Sequence, residues 1–441
     1  MKQNILIIAY HYMPLITAGS FRMHAWSKYL PAFGWQPFIL TRHWTHNSIN
    51  HSNHTKSTAA KDIDREIGCA VVRTPYKQSF PGSCSLRNRL SRKEDPSKLE
   101  ILTRKSLSFT LRNFLMLPDE QRGWFRQAFE AALPIIEDNN IRVILSTGAP
   151  WTAFKLGASL SKRTGIPWVA DYRDPWTQRT TLGIKKEYAI WWAFSRPYER
   201  RITQSASALV HISEPLRNYL SKMLKRKVHL IPNGYDPEKF ESARQFTPDQ
   251  DTFTISFIGT LHSGTNTRVF LEGFQKFVDA TSISPQGCRI DFIGDTTGHK
   301  RIQTEYRQFN KIAHYVSFNP AMVQDVAIKK MCQSHMLLSF PLDMEGCCPA
   351  KTYEYLASGR PILVTPDGFH RGVIKDLLNK TKGGAVLNTP IQVAEYLEKK
   401  LSEFRVTRAV ISTTDQTVVE QYSRKRQVKK LASILDSIGN Q

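Results

Sequence analysis

Acidic residues are scarce. In a chain of 441 residues, 38 Asp and Glu stand against 61 Lys and Arg, a formal charge of +23 at pH 7. Such an excess calls for an anionic partner: anionic lipid, nucleic acid or a phosphorylated substrate. Nucleic acid is the weakest of these, because the basic residues follow no recognition motif. Cysteine is scarce too. Cys69, Cys84, Cys288, Cys332, Cys347 and Cys348 form no CxxC pair and have no histidine spacing for zinc, which points to scattered reduced thiols in a cytosolic protein. No apolar run approaches the ~20 residues needed to span a bilayer. The opening "MKQNILIIAYHYMP" has only a short apolar run and reads as a first buried strand, not a signal peptide. A cytoplasmic protein is expected, with any membrane contact peripheral. The first strand-to-helix connection, "AYHYMPLITAGSFR", lacks GxGxxG and keeps only Gly19, which argues against a dinucleotide oxidoreductase. No DxD-type acidic cluster appears in a loop that would argue for Mg²⁺, "IDRE" being a near miss, so no metal and no cofactor is expected.

What is present is alternation. Strand-like runs "ILIIAY", "QPFILT", "AVVRTP", "VILSTG", "WVADYRD", "ALVHIS" and "VHLIPNG" are separated in several places by helix-period segments. The first such helix holds Phe21, Trp26, Tyr29, Leu30 and Phe33 at helical spacing and stops at Gly34. This alternation predicts an α/β class with a mainly parallel sheet covered on both faces. A polar stretch, "ESARQFTPDQDT", then marks a boundary. Strands restart with "FTISFIGTL", "CRIDFIG", "HYVSFN", "MLLSFP" and "PILVT", which gives a second α/β domain. The expected division is 1–236, 237–417 and a closing helical segment 418–441. Residues 81–113 interrupt the pattern with basic and large apolar residues interleaved, including Arg87, Arg89, Lys98 and Arg104 among Leu86, Leu90, Leu107 and Phe109. They suit either an anionic membrane surface or a flexible basic insertion with a solvated face.

Several strand ends carry chemistry. Gly19, Ser20 and Arg22 open a helix that can receive a substrate or phosphate oxygen, or Ser20 is simply a cap. "WVADYRDPW" sets Asp171, Arg173 and Asp174 after a strand, where ligands of open α/β sheets lie. A carboxylate there can bind sugar hydroxyls or stabilise positive charge on a reacting carbon. The other possibility is an Asp–Arg pair that holds the loop, and Asp171 is read as functional and Arg173 as structural. "SFIGTLHSGTNT" offers Gly259, Thr260, His262, Ser263 and Gly264 as an anion-facing loop or as ordinary caps and turn residues. "CCPAKTYEYLASGRPILV" places Lys351 and Glu354 on a helix that stops at Gly359, with a strand behind it. A helix N-terminus with a nearby lysine is a natural seat for a phosphate.

Seven phrases in order, "HYMPLITAGSFRMHAWSKYLPAFGW", "LPDEQRGW", "DYRDPW", "ISEPLRNYL", "IPNGYDPEKF", "FIGTLHSG" and "PAKTYEYLASGRPIL", resemble the glycosyltransferases of family 4, in the branch that builds surface polysaccharides. The resemblance implies the GT-B fold: two Rossmann-like, doubly wound domains facing a central cleft, with the C-terminal helix crossing back to the first domain. It also implies an amino-terminal acceptor domain and a second, donor domain. Glu354 maps onto the second glutamate of the E-x7-E motif, which binds the ribose of a nucleotide sugar. Gly346, Cys347, Cys348, Lys351, Tyr353, Gly259, Thr260 and His262 complete the implied donor set. Asp171, Asp174 and Lys351 are the candidate catalytic residues, and Gly19, Ser20 and Arg22 the acceptor side. The chain departs from the motif in one place. Eight positions before Glu354 stands Gly346, and the acid Glu345 lies nine before, so the first glutamate is missing or displaced. The usual Arg and Lys pair after "FIGTL" is not evident either. Lys351 is the nearest substitute, and Arg268 a poorer one.

The expected function is transfer of a sugar from a nucleotide-sugar co-substrate to a glycan or lipid-linked acceptor at an anionic membrane surface. Retention of anomeric configuration is implied by the resemblance. Metal independence is expected because a helix N-terminus plus a lysine can stabilise the leaving diphosphate. A sugar-nucleotide epimerase of the same shape, or a non-catalytic relative that binds glycan or lipid, are the alternatives.

Overall fold

A computed structural model describes residues 2–44, 60–64, 68–77, 117–177, 189–261, 265–294, 309–341, 346, 348–366 and 372–439. The basic segment 81–113, Glu345, Cys347 and the loop residues His262, Ser263 and Gly264 lie outside them. The chain divides into two compact units, Met1–Pro232 with Gln427–Gln441, and Asn233–Arg426.

The first unit is built on strands β1 (Gln3–Ile8), β2 (Trp35–Arg42), β3 (Ala60–Asp64), β4 (Cys69–Thr74), β5 (Ile141–Gly148), β6 (Trp168–Tyr172), β7 (Ala208–His211) and β8 (His229–Leu230). Their order in the sheet is β3-β4-β2-β1-β5-β6-β7-β8, all parallel except β3 against β4. The helices are α1 (Ala18–Tyr29), α2 (Phe125–Asp138), α3 (Thr152–Thr164), α4 (Ala189–Thr203) and α5 (Glu214–Leu224). Strand β1 shows why this sheet is buried on both faces. Ile5 and Ile7 join one layer, with Trp26 of α1 and Val143 and Leu145 of β5; Leu6 and Ile8 join the other, with Phe154 of α3 and Trp168. Alternation along a strand sends neighbours to opposite faces, so a run that is apolar at every position needs helices on both sides. The helix that the spacing carries to Gly34 ends earlier, at Tyr29: Leu30–Phe33, with Pro31 in it, form a short 3₁₀ turn, which Gly34 closes at φ 85°.

The second unit contains β9 (Phe253–Gly259), β10 (Cys288–Gly294), β11 (Val316–Pro320), β12 (Met336–Ser339), β13 (Ile362–Val364) and β14 (Gly384–Val386), in the all-parallel order β11-β10-β9-β12-β13-β14. Around them stand α6 (Pro237–Ala243), α7 (Arg268–Thr281), α8 (Gln324–Cys332), α9 (Ala350–Ser358), α10 (Val373–Thr381), α11 (Pro390–Thr407) and α12 (Gln416–Glu420). The last helix, α13 (Arg424–Gly439), sends Val428, Leu431, Leu435 and Ile438 into the first unit's core with Ile5 and Ile7, and Trp35 Nε1 donates to Asp436 at 2.8 Å.

Each sheet reverses its strand order once, between β1 and β5 in the first unit and between β9 and β12 in the second. Ligands of open α/β sheets bind outside the carboxyl ends of the strands at such a reversal. Gly19 follows β1, Gly259 ends β9, and α9 follows β12, so these candidates lie by the reversals, while Asp171 and Asp174 stand one strand further out, at β6.

The ends of β9 and β10 touch closely. Gly294 is the register partner of Gly259 and sits at φ 156°, and a Cβ on it would lie 1.7 Å from the Gly259 carbonyl oxygen. Gly294→Ala is therefore expected to destabilise the second unit by on the order of 3 kcal/mol, since strained backbone alone costs 1 to 3. An unchanged midpoint in chemical denaturation would show that the strand ends have slack.

Candidate active site

In the first unit the residues of "LITAGSFR" and "WVADYRD" converge. The cap of α1 is Thr17, whose hydroxyl accepts from the Ser20 amide at 3.2 Å. Ser20, expected to be either the cap or a ligand, is buried, with its own hydroxyl 2.8 Å from that of Thr17. The Arg173 guanidinium lies over the first turn at Gly19, where an added Cβ would meet Arg173 Nη1 at 1.6 Å. Arg173 donates through Nε to Thr147 Oγ1 at 2.8 Å and through Nη2 to the Ala149 carbonyl. Burial holds Arg173 below the usual arginine range, against the pull of Asp174 and Asp171.

Asp171 is placed differently from its reading as a ligand-facing carboxylate. It is 0% exposed, and both oxygens are engaged. Arg22 reaches it with Nη2 at 2.9 Å and Nε at 3.3 Å, and Thr147 Oγ1 donates to it at 3.0 Å. Arg22 also donates to the carbonyls of Ile231 and Pro232, at 2.9 and 3.0 Å, and its guanidinium lies 4.3 Å from the Trp26 ring. The guanidinium expected to meet substrate is thus consumed inside the fold. The aspartate's partner is Arg22, 149 residues away, and not the neighbouring Arg173. A buried pair with its remaining lone pairs satisfied supports a positioning role for Asp171. Asp174, by contrast, is an exposed carboxylate just past the end of β6.

Two other phrases explain themselves here. In "LPDEQRGW", Asp119 accepts from the amides of Gln121 and Thr152, at 3.0 and 2.9 Å, and from Thr152 Oγ1 at 2.6 Å. It joins a 3₁₀ turn to the start of α3, while buried Trp124 donates to Thr74 Oγ1 at 2.7 Å. In "VHISEP", His211 is buried at the end of β7, stacked on Tyr172 with ring centroids 5.8 Å apart. Its Nδ1 accepts from the Ser213 amide at 3.0 Å. Burial, with Arg22 adding to it, pushes its pKa down to about 3, so the ring is neutral.

In the second unit the opening turn of α9 is capped by no side chain, since Pro349 precedes it, and the chain reaches it from Gly346 at φ 83°. Tyr355 fastens α9 to the end of β9: its hydroxyl accepts from the Ile258 amide at 2.8 Å and donates to the Ile258 carbonyl at 3.0 Å. Glu354 is buried beside it. Lys351 Nζ stands 2.7 Å from Glu354 Oε2, Gln324 Nε2 donates to Oε1 at 3.0 Å, and Arg424 Nη2 lies 3.8 Å from Oε1. Burial alone raises the carboxyl's pKa, but Lys351, Arg424 and the hydrogen bonds from Lys351 and Gln324 outweigh it and hold Glu354 below the usual range. It is an ionised acid one turn into α9.

The rest of the donor set divides. Gly259 is half-buried and Thr260 exposed at the end of β9, and Cys348 is buried just before α9. Tyr353 does not belong with them: it is buried in the core of the unit, its ring 5.3 Å from that of Tyr422. Arg268 is exposed at the start of α7 and paired with Glu272 at 2.6 Å. Gln324 and Arg424 were not singled out in the sequence, where each stands too far from Glu354 to signal a contact.

The sequence profile of Glycosyltransferase Family 4 matches residues 91–239, and that of Glycosyl transferases group 1 matches residues 252–403. The chain belongs to these glycosyltransferases. Among curated protein sequences none matches significantly. Solved structures share the fold of this glycosyltransferase over almost its whole length. Sucrose-phosphate synthase from Thermosynechococcus elongatus is 14% identical, with a TM-score of 0.63 and 99% of each chain covered. The trehalose 6-phosphate synthase of Burkholderia multivorans is 10% identical, with a TM-score of 0.63 and coverage of 100% and 99%. The HepE protein of Anabaena, solved with UDP and glucose, is 12% identical, with a TM-score of 0.58 and coverage of 99% and 100%. The two parallel sheets and these neighbours establish the two-domain GT-B fold.

Proposed function

We propose that this glycosyltransferase moves a sugar from a nucleotide-sugar donor to a glycan or lipid-linked acceptor, with retention and without a metal, in the assembly of a surface polysaccharide. The observation that carries the donor half is the ionised Glu354 beside Lys351 at the opening of α9, next to the strand reversal of the second unit. Glu354 accepts from the ribose hydroxyls. Lys351 and the uncapped amides of α9 take the charge that develops on the diphosphate as its bond to the anomeric carbon breaks. The acceptor hydroxyl forms the new bond on the same face and passes its proton to the leaving phosphate. The exposure of Asp174 on the first unit supports it as the carboxylate that meets the acceptor, while Asp171 holds the loop that carries it. Crystallisation of the Anabaena neighbour with UDP and with UDP-glucose supports the class of donor. The charge of +23 supports an anionic acceptor or the inner face of a cytoplasmic membrane. Among the described residues, no helix is long and apolar enough to cross a membrane.

The test is a panel of UDP-, GDP-, dTDP- and CMP-sugars with EDTA present, read by thermal shift and by release of free nucleotide. A stabilising sugar nucleotide with slow release of its nucleotide is the expected result. Silence from folded protein would favour a non-catalytic relative, the reading that Gly346 in place of the first glutamate supports. Lys351→Ala is expected to lower kcat by about a hundredfold, as removal of one donor to a developing anion does; an unaltered kcat would take it out of the reaction.

A further inference from the structure

Glu354 has more positive charge around it than one carboxylate needs, and its two cations are held differently. The Lys351 side chain is 39% exposed and stands one turn before Glu354 on α9. A lysine on such a flexible stem is free to turn toward a ligand. The Arg424 side chain is only 10% exposed. Its backbone is fixed as well: the amide donates to the Tyr235 carbonyl at 2.8 Å, and Ser423 bridges to Tyr235. Gly234 belongs to the same contact, where a Cβ would meet the Tyr422 carbonyl oxygen at 2.1 Å, so the segments 233–235 and 422–424 lie backbone to backbone.

We infer that Arg424 and Gln324 are the standing positioning residues for the Glu354 carboxylate, keeping it charged and aimed at the ribose diol when Lys351 turns to the donor diphosphate. This rests on the reading that Glu354 binds ribose. A carboxylate buried without a cation takes up a proton, and a protonated carboxyl loses an acceptor. Were Lys351 the sole partner, its move to the phosphate would switch off the group that reads the sugar. With Arg424 fixed behind the carboxylate, the two tasks are separate. Among the described residues, the charged and titratable groups set around Glu354 are Lys351, Arg424 and the Tyr355 phenol, with uncharged Gln324 from α8.

The sign of the pH effect follows. The wild-type carboxyl, held low, stays ionised at pH 5.5. Loss of Arg424 raises its pKa, so the charged form is present at pH 7.5 and is lost as pH falls. The experiment is calorimetry on the full chain with UDP, GDP and ADP, then with the 2′,3′-dideoxy form of the tightest binder, at both pH values. The dideoxy form carries the same phosphates, so their own titration cancels. The wild type is expected to prefer the ribo form at both pH values. Arg424→Met is expected to lose that preference on acidification, the Kd for the ribo form rising on the order of tenfold relative to the dideoxy form. Arg424→Lys should restore it, and Gln324→Leu should weaken the preference at both pH values. A folded Arg424→Met protein with the wild-type preference throughout overturns the inference. If that variant fails to fold, an unchanged preference in Gln324→Leu does so. Equal binding of the two forms by the wild type sinks the ribose reading, and binding of none of the three nucleotides sinks the nucleotide reading; the inference goes with either.

Discussion

Glu354→Gln is expected to weaken binding of the donor nucleotide by two to three orders of magnitude while leaving the fold of α9 in place. Hydrogen bonds to a charged group contribute about 1.5 to 3 kcal/mol each, and a ribose diol makes two, so complete loss would cost roughly 3 to 6 kcal/mol; the glutamine carbonyl still accepts, which leaves a loss of roughly 3 to 4 kcal/mol. Glutamine keeps the shape but not the charge, and its amide would meet the Lys351 ammonium at one oxygen position or Gln324 and Arg424 at the other. Two cations then face each other without an acid between them, so some loss of stability accompanies the loss of affinity. Calorimetry with the nucleotide, beside a thermal melt of the same sample, separates the two effects. Wild-type affinity in a folded Glu354→Gln protein would remove the carboxylate from the donor site.

The legible part of this structure was the part that repeats locally. Strands such as β1 and β5 are apolar at successive positions, and the stop signal Gly34 stands close behind α1. Lys351 and Glu354 were legible only as members of one helix; that they pair follows from their spacing, because residues three apart on a helix are neighbours. Contacts between distant segments were not. Nothing near Asp171 announces that its cation comes from α1, and nothing near Glu354 announces Gln324 or Arg424, 30 and 70 residues away. Direction around a helix was the other loss. Tyr353, Glu354 and Tyr355 follow one another in a single phrase, yet successive residues point about 100° apart. One ring meets Tyr422 in the core, one carboxylate meets three polar groups, and one hydroxyl closes on Ile258. Membership of a phrase singles out the helix without saying which way each of its side chains points.

The same distinction decides Asp171. Asp171→Ala is expected to destabilise the first unit by about 3 to 5 kcal/mol, the usual consequence of removing one member of a buried ion pair. For a unit of this size that lowers the melting temperature by roughly 10 °C. The cost falls on Arg22, whose side chain is 5% exposed and keeps the neutral carbonyls of Ile231 and Pro232 and the Trp26 ring, but no anion among the described residues, once the carboxylate is gone. It reaches Arg173 as well, because the Thr147 hydroxyl that accepts from Arg173 donates to Asp171. Replacing both partners by apolar residues of similar size, Arg22→Met with Asp171→Leu, should recover much of the stability, because neither charge is then left buried alone. A catalytic carboxylate would give the opposite pattern. Asp171→Asn would melt as the wild type does and lose turnover, and the double variant would rescue nothing. Paired melting and turnover measurements on these three proteins therefore separate a group that holds the loop from one that touches the reacting sugar.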